Sequence, residues 1–333
     1  MKALLIGGTG VISESIAELL VLMDWDVYIL NRGNRNLPEG AKLLIADCTD
    51  EQAVKNAVFS HKFDTVANFR AFTPQDVERD IRVFSGITNQ YIFISSASAY
   101  QKPPVTPYIT ESTPLINPYW QYSRDKADTE ALLMKEYNET GFPVTIVRPS
   151  HTYSYRSVPV AVHGDKGSWQ IIKRMLEGKK VLIHGDGSSL WTITHSKDFA
   201  KGFCGLMGNT HALGNAVHIT SDEILTWNQV YSSIANALGV PFNPSYAPST
   251  VIARVGNKYG YDFEGALLGD KAASVIFDNS KLKRLVPGFA ATIRFDIGIK
   301  ESIQYLLQHK ELQIEDPIFD RFCDEIIEAT ESI

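Results

Sequence analysis

Short apolar runs alternate with helical repeats along the first half of the chain. Runs bounded by polar or turn-forming residues predict strands over 3–6, 26–30, 42–46, 65–69 and 91–96. The first strand is followed by a helical pattern through Ile16, Leu19 and Leu20. Strands that alternate with helices through short links predict an α/β fold, in which an open, mostly parallel sheet carries helices on both faces.

The second half of the chain shows mainly helical spacing. Helices are predicted over 198–206 and 227–238, with a further strand between them at 216–220. Residues 304–307 and 319–327 predict closing amphipathic helices. Their stripe of Phe and Ile is most simply core packing, and a dimer interface is the alternative.

A glycine-rich turn joins the first strand to the first helix. Glycine lacks a Cβ, so backbone N–H groups there can approach a pyrophosphate lying on the helix N-terminus. The turn therefore predicts a dinucleotide site, and a plain strand-to-helix connection is the alternative. The predicted contacts are Gly7, Thr9, Gly10, Val11 and Ile12. A third glycine is usual where the helix packs closest to the strand, so Ser13 in its place predicts slightly looser packing.

The end of the second strand bears on the type of dinucleotide. In such a unit an acid binds the ribose 2′-OH of NAD, whereas a nearby arginine accommodates the 2′-phosphate of NADP. Asn31 stands in place of the acid, and Arg32 and Arg35 are close by. NADP is therefore favoured over NAD, although Asn31 can still hydrogen-bond a ribose hydroxyl and exposed arginines are often only solvated.

Polar residues at the ends of the next two strands are further cofactor candidates. Asp47, with Cys48 beside it, stands where an adenine amino group could be bound, or else it caps the following helix. Arg70 follows the fourth strand, and ligands bind at the carboxyl ends of parallel strands. It is expected to meet a cofactor phosphate or a substrate anion, or to pair with an acid of the next helix, namely Asp76, Glu78 or Asp80.

Composition narrows the class of partner. The chain has 333 residues, 44% of them hydrophobic and 21% charged, as is ordinary for a soluble globular protein. A formal net charge of −6 opposes nucleic-acid binding and favours a small-molecule partner. Three scattered cysteines predict neither a disulfide framework nor a metal site. Without a signal peptide or a long apolar run, no membrane association is expected, and the cytoplasm is the expected compartment.

Tyr122 and Lys126 form the strongest candidate for acid–base chemistry. They are four residues apart at the start of a predicted helix, so they lie on one face, one turn from each other. A neighbouring ammonium favours the phenolate and is expected to lower the tyrosine pKa towards neutrality. Such pairs also arise by chance on solvated helix faces, so the chain order of the other motifs carries the argument.

Four motifs in order resemble those of the extended short-chain dehydrogenase/reductases, the NAD-dependent epimerase/dehydratase family. They are GGTG at 7–10, SSASAY at 95–100, YSRDK at 122–126 and RPSHTY at 148–153. Segments 183–187, 194–198 and 278–282 resemble later landmarks of the family. The resemblance implies a Rossmann-type doubly wound sheet over 1–150, to which 192–225 return. It also implies a smaller substrate lobe from 151–191 and 226–333, and a homodimer is usual among such proteins.

The resemblance also implies roles for individual residues. Ser96 would hydrogen-bond the substrate, Tyr122 would move its proton, and Lys126 would hold the nicotinamide ribose; hydride would pass between the substrate and NADP or NAD. Further cofactor contacts are implied for Asn68, Ser95, Pro149 and His151, besides Tyr122 and Lys126 themselves. Candidate substrate contacts are Ser98, His163, Trp191 and His195, and each aromatic or histidine among them has the alternative of a core residue.

Departures from the family pattern limit the expected activity. Sugar dehydratases carry an Asp-Glu pair after the catalytic Ser or Thr, and Ala97 and Ser98 stand there, so dehydration is disfavoured. Trp191 stands where many nucleotide-sugar enzymes place an arginine for the diphosphate. The expected function is NAD(P)-dependent oxidoreduction or epimerisation of a sugar-like or nucleotide-sugar-like hydroxyl or carbonyl. The alternative is a non-catalytic Rossmann protein of the atypical branch that binds RNA or senses a nucleotide.

Overall fold

The computed structural model describes residues 1–331, and within them strands and helices alternate as the sequence predicts. The strands are β1 Lys2–Ile6, β2 Asp26–Asn31, β3 Lys42–Ile45, β4 Thr65–Asn68, β5 Tyr91–Ile94, β6 Tyr108–Ile109, β7 Val144–Pro149, β8 His151–Tyr153, β9 Val181–His184, β10 Leu190–Trp191, β11 Ile193–His195, β12 Asn215–Ile219, β13 Leu225–Thr226, β14 Pro244–Ala247 and β15 Ile276–Phe277. The α-helices are α1 Ser13–Leu22, α2 Glu51–Val58, α3 Pro74–Phe84, α4 Gln121–Thr140, α5 Trp169–Leu176, α6 Ser196–Leu206, α7 Trp227–Leu238, α8 Ser249–Tyr259, α9 Ser280–Leu285, α10 Phe295–Gln308 and α11 Pro317–Glu331. A π-helical segment spans Glu264–Lys271.

Seven of these strands form the central parallel sheet, in the order β12-β7-β5-β4-β1-β2-β3. The chain runs outward from β1 in one direction through β2 and β3, and then in the other from β4. The strand order therefore reverses between β1 and β4, where Leu4 pairs with Val66. At such a switch point the loops beyond the carboxyl ends diverge and leave a crevice, which is where ligands bind in open α/β sheets. The predicted α/β fold with a Rossmann-type sheet is confirmed.

Apolar layers cover both faces of this sheet. On one face, Ile16 and Leu20 of α1 share a core with Phe199 and Phe203 of α6. On the other face, α2, α3 and α4 contribute a second core that includes Val54, Val77 and Leu133. Because α6 and β12 join these layers, residues 196–219 pack with the N-terminal sheet.

A separate core holds the remaining elements together. Its largest members include Trp191, Trp227, Tyr231 and Phe322, all fully buried. Four two-stranded pairings surround it: β14 with β9, β13 with β10, β11 with β8, and β15 with β6. Strands β6 to β11 and β13 to β15 and the π-helical segment are not predicted from the sequence. No helix within the described residues is both long and apolar enough to traverse a bilayer.

The fifth strand ends earlier than its apolar run predicts. Strand β5 ends at Ile94, although the Ser95 N–H still donates to the Val147 carbonyl of β7 at 2.8 Å. The Ser96 side chain accepts from the Ser98 N–H at the start of a short turn over 97–99. This turn directs the serines that follow the strand towards the carboxyl edge of the sheet. Because β5 ends early, Ser96 and Ser98 are free to line a cavity at this edge.

Candidate functional site

The glycine turn lies at the carboxyl end of β1, at the switch point of the sheet. Gly7 has a φ of +80°, and a Cβ there would come within 2.5 Å of Cγ of Arg70. Only glycine combines this left-handed backbone with so close an approach. Ser13, buried in place of the third glycine, donates to the Gly7 carbonyl and accepts from the Gly10 N–H at 2.8 Å. Ser13 thus cross-links the two ends of the glycine turn through its hydroxyl. The sequence predicts only looser packing at this position.

A cleft of about 500 Å³ opens beside this turn. Most of the predicted cofactor contacts line it, since it runs along the carboxyl ends of β1, β2, β3 and β4. The predicted residues in its lining are Gly7, Thr9, Gly10, Val11, Ile12, Asn31, Arg32, Asp47, Cys48 and Arg70, joined by Arg35. The structure therefore brings the glycine turn and the ends of the neighbouring strands together at one surface.

Three arginines give this cleft a positive lining. Arg35 donates to the carbonyl of Thr9 at 3.1 Å, which holds it over the glycine turn. Arg70 does not pair with an acid of α3: within the described residues Asp76 and Asp80 pair with Arg79, at 3.3 and 3.7 Å. Arg70 lines the cleft instead, so its expected contact with a cofactor phosphate or a substrate anion stays a prediction.

Asn31 supplies a direct test of whether a dinucleotide fits the cleft. Its Oδ1 accepts from the Gly33 N–H at 2.7 Å, whereas its buried Nδ2 has no hydrogen-bond partner among residues 1–331. A buried donor without a partner is unfavourable by about 1–3 kcal/mol. Because Asn31 lines the cleft at the end of β2, a ribose hydroxyl could accept from it. The donor set and the positive charge thus fit a dinucleotide.

Asp47, Cys48 and Asn68 end up in different surroundings. Asp50, not Asp47, caps α2, by accepting from the Ala53 N–H. Asp47 accepts from the backbone and the side chain of Thr49, hydrogen bonds that hold the pKa of its carboxyl below the usual value. Burial raises the pKa of the Cys48 thiol, which is consistent with a packing role.

Asn68 points inward and does not line the cleft. Its Oδ1 accepts from the N–H groups of Arg70 and Ala71, and its Nδ2 donates to Asp80. Tyr91 donates to the same carboxyl, whose burial raises its pKa to about 6. Asn68 therefore shapes the turn that presents Arg70, which is a different contribution from the cofactor contact implied by the resemblance. Ser95 is also buried and outside the cleft lining.

A second cavity, of about 400 Å³, adjoins the cleft, and Thr152 lines both. The predicted catalytic Ser96 and Tyr122 line it, together with Ser98, Pro149 and His151. Ser96 and Ser98 are hydrogen-bonded at 2.8 Å, and Ser123 donates to Ser98 at 2.9 Å. Pro149 and His151, implied as cofactor contacts, thus border this second cavity. Burial lowers the pKa of His151 to about 3, so this ring is neutral.

Burial, rather than the neighbouring lysine, determines the direction in which the pKa of the Tyr122 phenol is shifted. Burial raises its pKa, and the nearby Ser96 side chain acts in the opposite direction. Its ring lies between those of Trp120 and Phe72, with centroids 4.9 and 6.4 Å away. The expected lowering of the pKa by Lys126 is not found, because removing the phenol from water disfavours the phenolate more strongly.

Lys126 lies beneath Tyr122, one helical turn along α4. Its Nζ donates to the carbonyls of Ala71 and Ile94 at 2.8 and 2.7 Å and lies 5.6 Å from the centre of the Tyr122 ring. Burial lowers the pKa of this amine to about 7. The spacing of Tyr122 and Lys126 therefore places them on one face of α4, as predicted. Burial, however, disfavours the charged form of the lysine.

The predicted substrate contacts separate into two groups. Ser98 and Trp191 line the second cavity. His163 is exposed and lies outside the lining residues, with Nδ1 2.9 Å from the Gly164 carbonyl oxygen. His195 is buried at the start of α6, accepts from the Lys197 N–H and packs edge-on against Tyr153. For His195 the structure shows the core alternative, since its nearest contacts are within the fold.

Trp120, Asp270 and Lys271 also line the second cavity, and none of them is a predicted site residue. Asp270 and Lys271 end the π-helical segment, far from any motif. Asn117 joins this segment to the serine turn, because its Nδ2 donates to the carbonyls of Ser98 and Gly269. Only the position of Trp120 two residues before Tyr122 gave a signal in the sequence.

The parallel sheet, with its glycine turn at the switch point, defines a Rossmann-type fold. Solved structures share this fold. An epimerase from Methanothermobacter thermautotrophicus superposes with a TM-score of 0.73, at 17% identity over 94% of both chains. The UDP-glucose 4-epimerase of Thermotoga maritima, solved with UDP-glucose, gives a TM-score of 0.71 at 21% identity over 92% of this chain and 99% of the other.

Sequence comparison defines the relationship more closely. Residues 81–219 match the model of the NAD dependent epimerase/dehydratase family. The 2′-dehydrokanamycin reductase of Streptomyces kanamyceticus is 25% identical over 293 residues, which cover 87% of this chain and 80% of that protein. A chloroplast stem-loop binding protein of 41 kDa from Arabidopsis thaliana is 25% identical over 258 residues, covering 72% and 64%. The chain is thus related to the NAD-dependent epimerase/dehydratase family, and the resemblance read from its motifs is confirmed.

Proposed function

We propose that this protein is an NAD(P)-dependent oxidoreductase or epimerase that acts on a hydroxyl or carbonyl group of a sugar-like substrate. The observation that carries the proposal is that Ser96 and Tyr122 line one cavity, which adjoins the arginine-lined cleft at Thr152. A bound nicotinamide dinucleotide would supply or accept a hydride. The chain itself would supply binding, orientation and a proton.

Each residue of the site has a physical role in this proposal. The glycine turn and Arg70 would hold the pyrophosphate, and Asn31 Nδ2 would donate to the adenine ribose. Burial keeps the Tyr122 phenol protonated at neutral pH. In the reducing direction Tyr122 Oη would donate its proton to the substrate oxygen, and in the oxidising direction the Tyr122 phenolate would take a proton from the substrate hydroxyl. Ser96 would hold that oxygen beside the phenol.

NADP is the preferred dinucleotide in this proposal. Arg32 lines the cleft directly after Asn31, and Arg35 is held nearby by its bond to Thr9. An arginine pairs well with a 2′-phosphate, in a charge-assisted hydrogen bond worth about 1.5–3 kcal/mol. The structures of two solved epimerases, from Bacillus cereus and Thermus thermophilus, contain NAD. The preference for NADP over NAD is therefore argued from the residues of this chain that would contact the adenine ribose.

The first experiment is a fluorescence titration of the purified chain with NADPH and with NADH. NADPH is expected to bind more tightly, and Arg32→Ala is expected to reduce that preference by about 10- to 150-fold, as the loss of one charge-assisted bond requires. Arg254→Ala is the matched control, since Arg254 is exposed on α8 and lines neither cavity. An unchanged preference in Arg32→Ala would remove Arg32 from the proposed site.

The second experiment addresses the proton. Tyr122→Phe keeps the ring packed between Trp120 and Phe72 and removes only the hydroxyl. NADPH binding is expected to persist, while hydride exchange with a panel of sugars falls about 10²–10⁴-fold, the usual contribution of a general acid. Tyr119→Phe, in the same loop, is the control and should retain activity. Equal activity of wild type and Tyr122→Phe would contradict the proposed role.

RNA binding is the alternative function, because one relative is a stem-loop binding protein. The net charge of −6 disfavours it, since RNA binding depends on neutralising phosphates. Gel-shift titration with a stem-loop RNA tests it directly. Binding of RNA together with an absence of NADPH and NADH binding would replace the enzymatic proposal by this one.

A further inference from the structure

Two buried polar atoms beside Tyr122 have no hydrogen-bond partner among the described residues. They are the indole N–H of Trp191, a residue that is 1% exposed, and Oδ1 of Asp270, which is 9% exposed. Both residues line the second cavity. One atom is a donor and the other an acceptor, and leaving each unsatisfied is unfavourable by about 1–3 kcal/mol. A ligand that offers a hydrogen-bond acceptor and a donor would satisfy both atoms.

The same cavity has aromatic walls. Trp120, Tyr122 and Trp191 all line it. The Trp191 ring is fixed from behind, since it stacks on Trp227 with centroids 6.5 Å apart and an interplanar angle of 27°. A few directed polar groups among aromatic surfaces are the usual make-up of a pocket for a small polar ligand. The faces of a sugar ring, which are lined with C–H groups, match such walls, while its hydroxyls both donate and accept.

Charge distinguishes this cavity from the neighbouring cleft. The described lining of the cavity contains no arginine, whereas Arg32, Arg35 and Arg70 line the cleft. Its one cation is Lys271, whose Nζ already donates to Oδ2 of Asp270 at 3.2 Å and to the Ala266 carbonyl at 3.4 Å. A diphosphate placed here would meet the Asp270 carboxylate, and the described lining offers no second cation to neutralise it. The cavity is therefore poorly suited to a nucleotide diphosphate.

The wall that carries Asp270 is built into the fold. Lys102, itself buried, donates to the Asp270 carbonyl at 3.0 Å, and the Trp227 indole donates to the Lys271 carbonyl at 3.2 Å. These bonds fix the backbone on both sides of the Asp270 side chain. Its Oδ2 is directed to Lys271, so Oδ1 is the oxygen that remains for a ligand.

We propose that the second cavity binds a sugar ring that carries no phosphate, with Asp270 Oδ1 accepting from a sugar hydroxyl or amino group and Trp191 Nε1 donating to a sugar oxygen. The proposal rests on the proposed function, because it assigns the substrate class of that same site. It also assigns specificity to Asp270 and Trp191, which lie outside the Ser96–Tyr122 pair.

The test is calorimetric titration of the full chain with unphosphorylated sugars and with nucleotide sugars, in saturating NADPH. The probes are methyl α-D-glucopyranoside, methyl α-D-galactopyranoside, methyl α-D-glucosaminide, UDP-glucose and UDP. At least one methyl glycoside is expected to bind, and UDP-glucose is expected to bind no more than about tenfold more tightly than it. UDP-glucose that binds far more tightly than every glycoside, with UDP competing, would overturn the proposal, as would the absence of glycoside binding.

Two variants test the assigned atoms. Trp191→Phe keeps a ring against Trp227 and removes the N–H, and it is expected to weaken glycoside binding about fivefold, as for one neutral hydrogen bond. Asp270→Asn is expected to weaken glycoside binding about tenfold or more. If the amide oxygen of the new side chain accepts from Lys271, its NH₂ group faces the cavity and cannot accept from the sugar. Trp25→Phe and Asp128→Asn, at residues outside both cavities, are the matched controls.

The outcomes separate this inference from the proposed function. NADPH binding is measured first, and its absence would refute the proposed function together with this inference. Intact NADPH binding with unchanged glycoside affinity in Trp191→Phe would overturn the inference alone. Should Asp270→Asn fail to fold, as judged by its thermal melt, the conservative Trp191→Phe variant still decides the outcome.

Discussion

The buried amine of Lys126 makes a prediction about stability that does not depend on the substrate. Burial lowers its pKa from 10.5 to about 7 in the folded protein. Each pKa unit corresponds to about 1.4 kcal/mol, so charging the buried amine is less favourable by roughly 5 kcal/mol than charging it in the unfolded chain. Below pH 7 that full amount opposes folding, although hydrogen bonds to the Ala71 and Ile94 carbonyls persist.

The sign of the pH dependence follows from proton counting. Between pH 7 and pH 10.5 the unfolded chain holds a proton on this lysine that the folded protein has released. The free energy of unfolding therefore rises with pH across this window. Lys126→Met lacks the titrating group. The difference in unfolding free energy between wild type and Lys126→Met should thus increase in favour of wild type by roughly 3 kcal/mol from about pH 6 to about pH 9.

Urea denaturation at a series of pH values measures this difference, and groups that titrate in both proteins cancel. Lys135→Met is the matched control, because Lys135 lies on the same helix with its side chain 65% exposed. Its difference from wild type should be independent of pH. A Lys126→Met profile as flat as that of Lys135→Met would refute the reasoning, since it would mean that the amine keeps its ordinary pKa in the fold.

Three further predictions concern the glycine turn and two buried charges. Gly7→Ala should weaken NADPH binding in a fluorescence titration, because its Cβ would lie 2.5 Å from the overlying arginine. Gly141→Ala, at a similar φ of +76° with open space around it, should not alter NADPH binding, and a similar loss in both would contradict the crowding argument. Arg148→Met should lower the free energy of unfolding by about 3–5 kcal/mol in urea, because it leaves the carboxylate of Glu130 buried without its cation; a loss below about 1 kcal/mol would show that the pair is dispensable. Burial raises the pKa of Asp80 to about 6, so the folded protein binds the extra proton and stability should fall by roughly 3 kcal/mol as pH rises from 3.8 to 6. Asp80→Asn should lose this pH dependence in thermal melts, and an unchanged dependence would assign it to other groups.

Local patterns predict the part of the site that neighbours in sequence can build. The sequence predicts strands β1 to β5 and β12 of the central sheet to within two residues at their ends, because each is a short apolar run bounded by turn-forming or polar residues; β7 is not predicted. The glycine turn follows the first strand directly, and its chemistry is contained in residues 7–13. For the same reason the one-turn separation of Tyr122 and Lys126 on α4 follows from their spacing alone.

Contacts that depend on burial or on distant segments escape such reasoning. His195 and Trp191 are both aromatic residues near a family-like motif, and nothing local distinguishes them. In the fold, His195 caps α6 and Trp191 borders the cavity, because the strands that carry them face different neighbours. Asp270 reaches the site only because Asn117 and Lys102 bind the carbonyls of the segment that carries it, across more than a hundred residues of chain.

Burial also explains why the acid–base pair behaves differently from its sequence prediction. Spacing predicts proximity, and proximity of an ammonium in water predicts a lowered tyrosine pKa. The same helix, however, packs its face under Phe72 and Phe93, so both groups leave water together and each is driven towards its neutral form. Because burial favours the uncharged form of both groups, the charge of Lys126 has little effect on the pKa of Tyr122, although the two side chains are close together. The site is therefore better suited to holding a proton on Tyr122 and delivering it to a substrate oxygen than to maintaining a free phenolate.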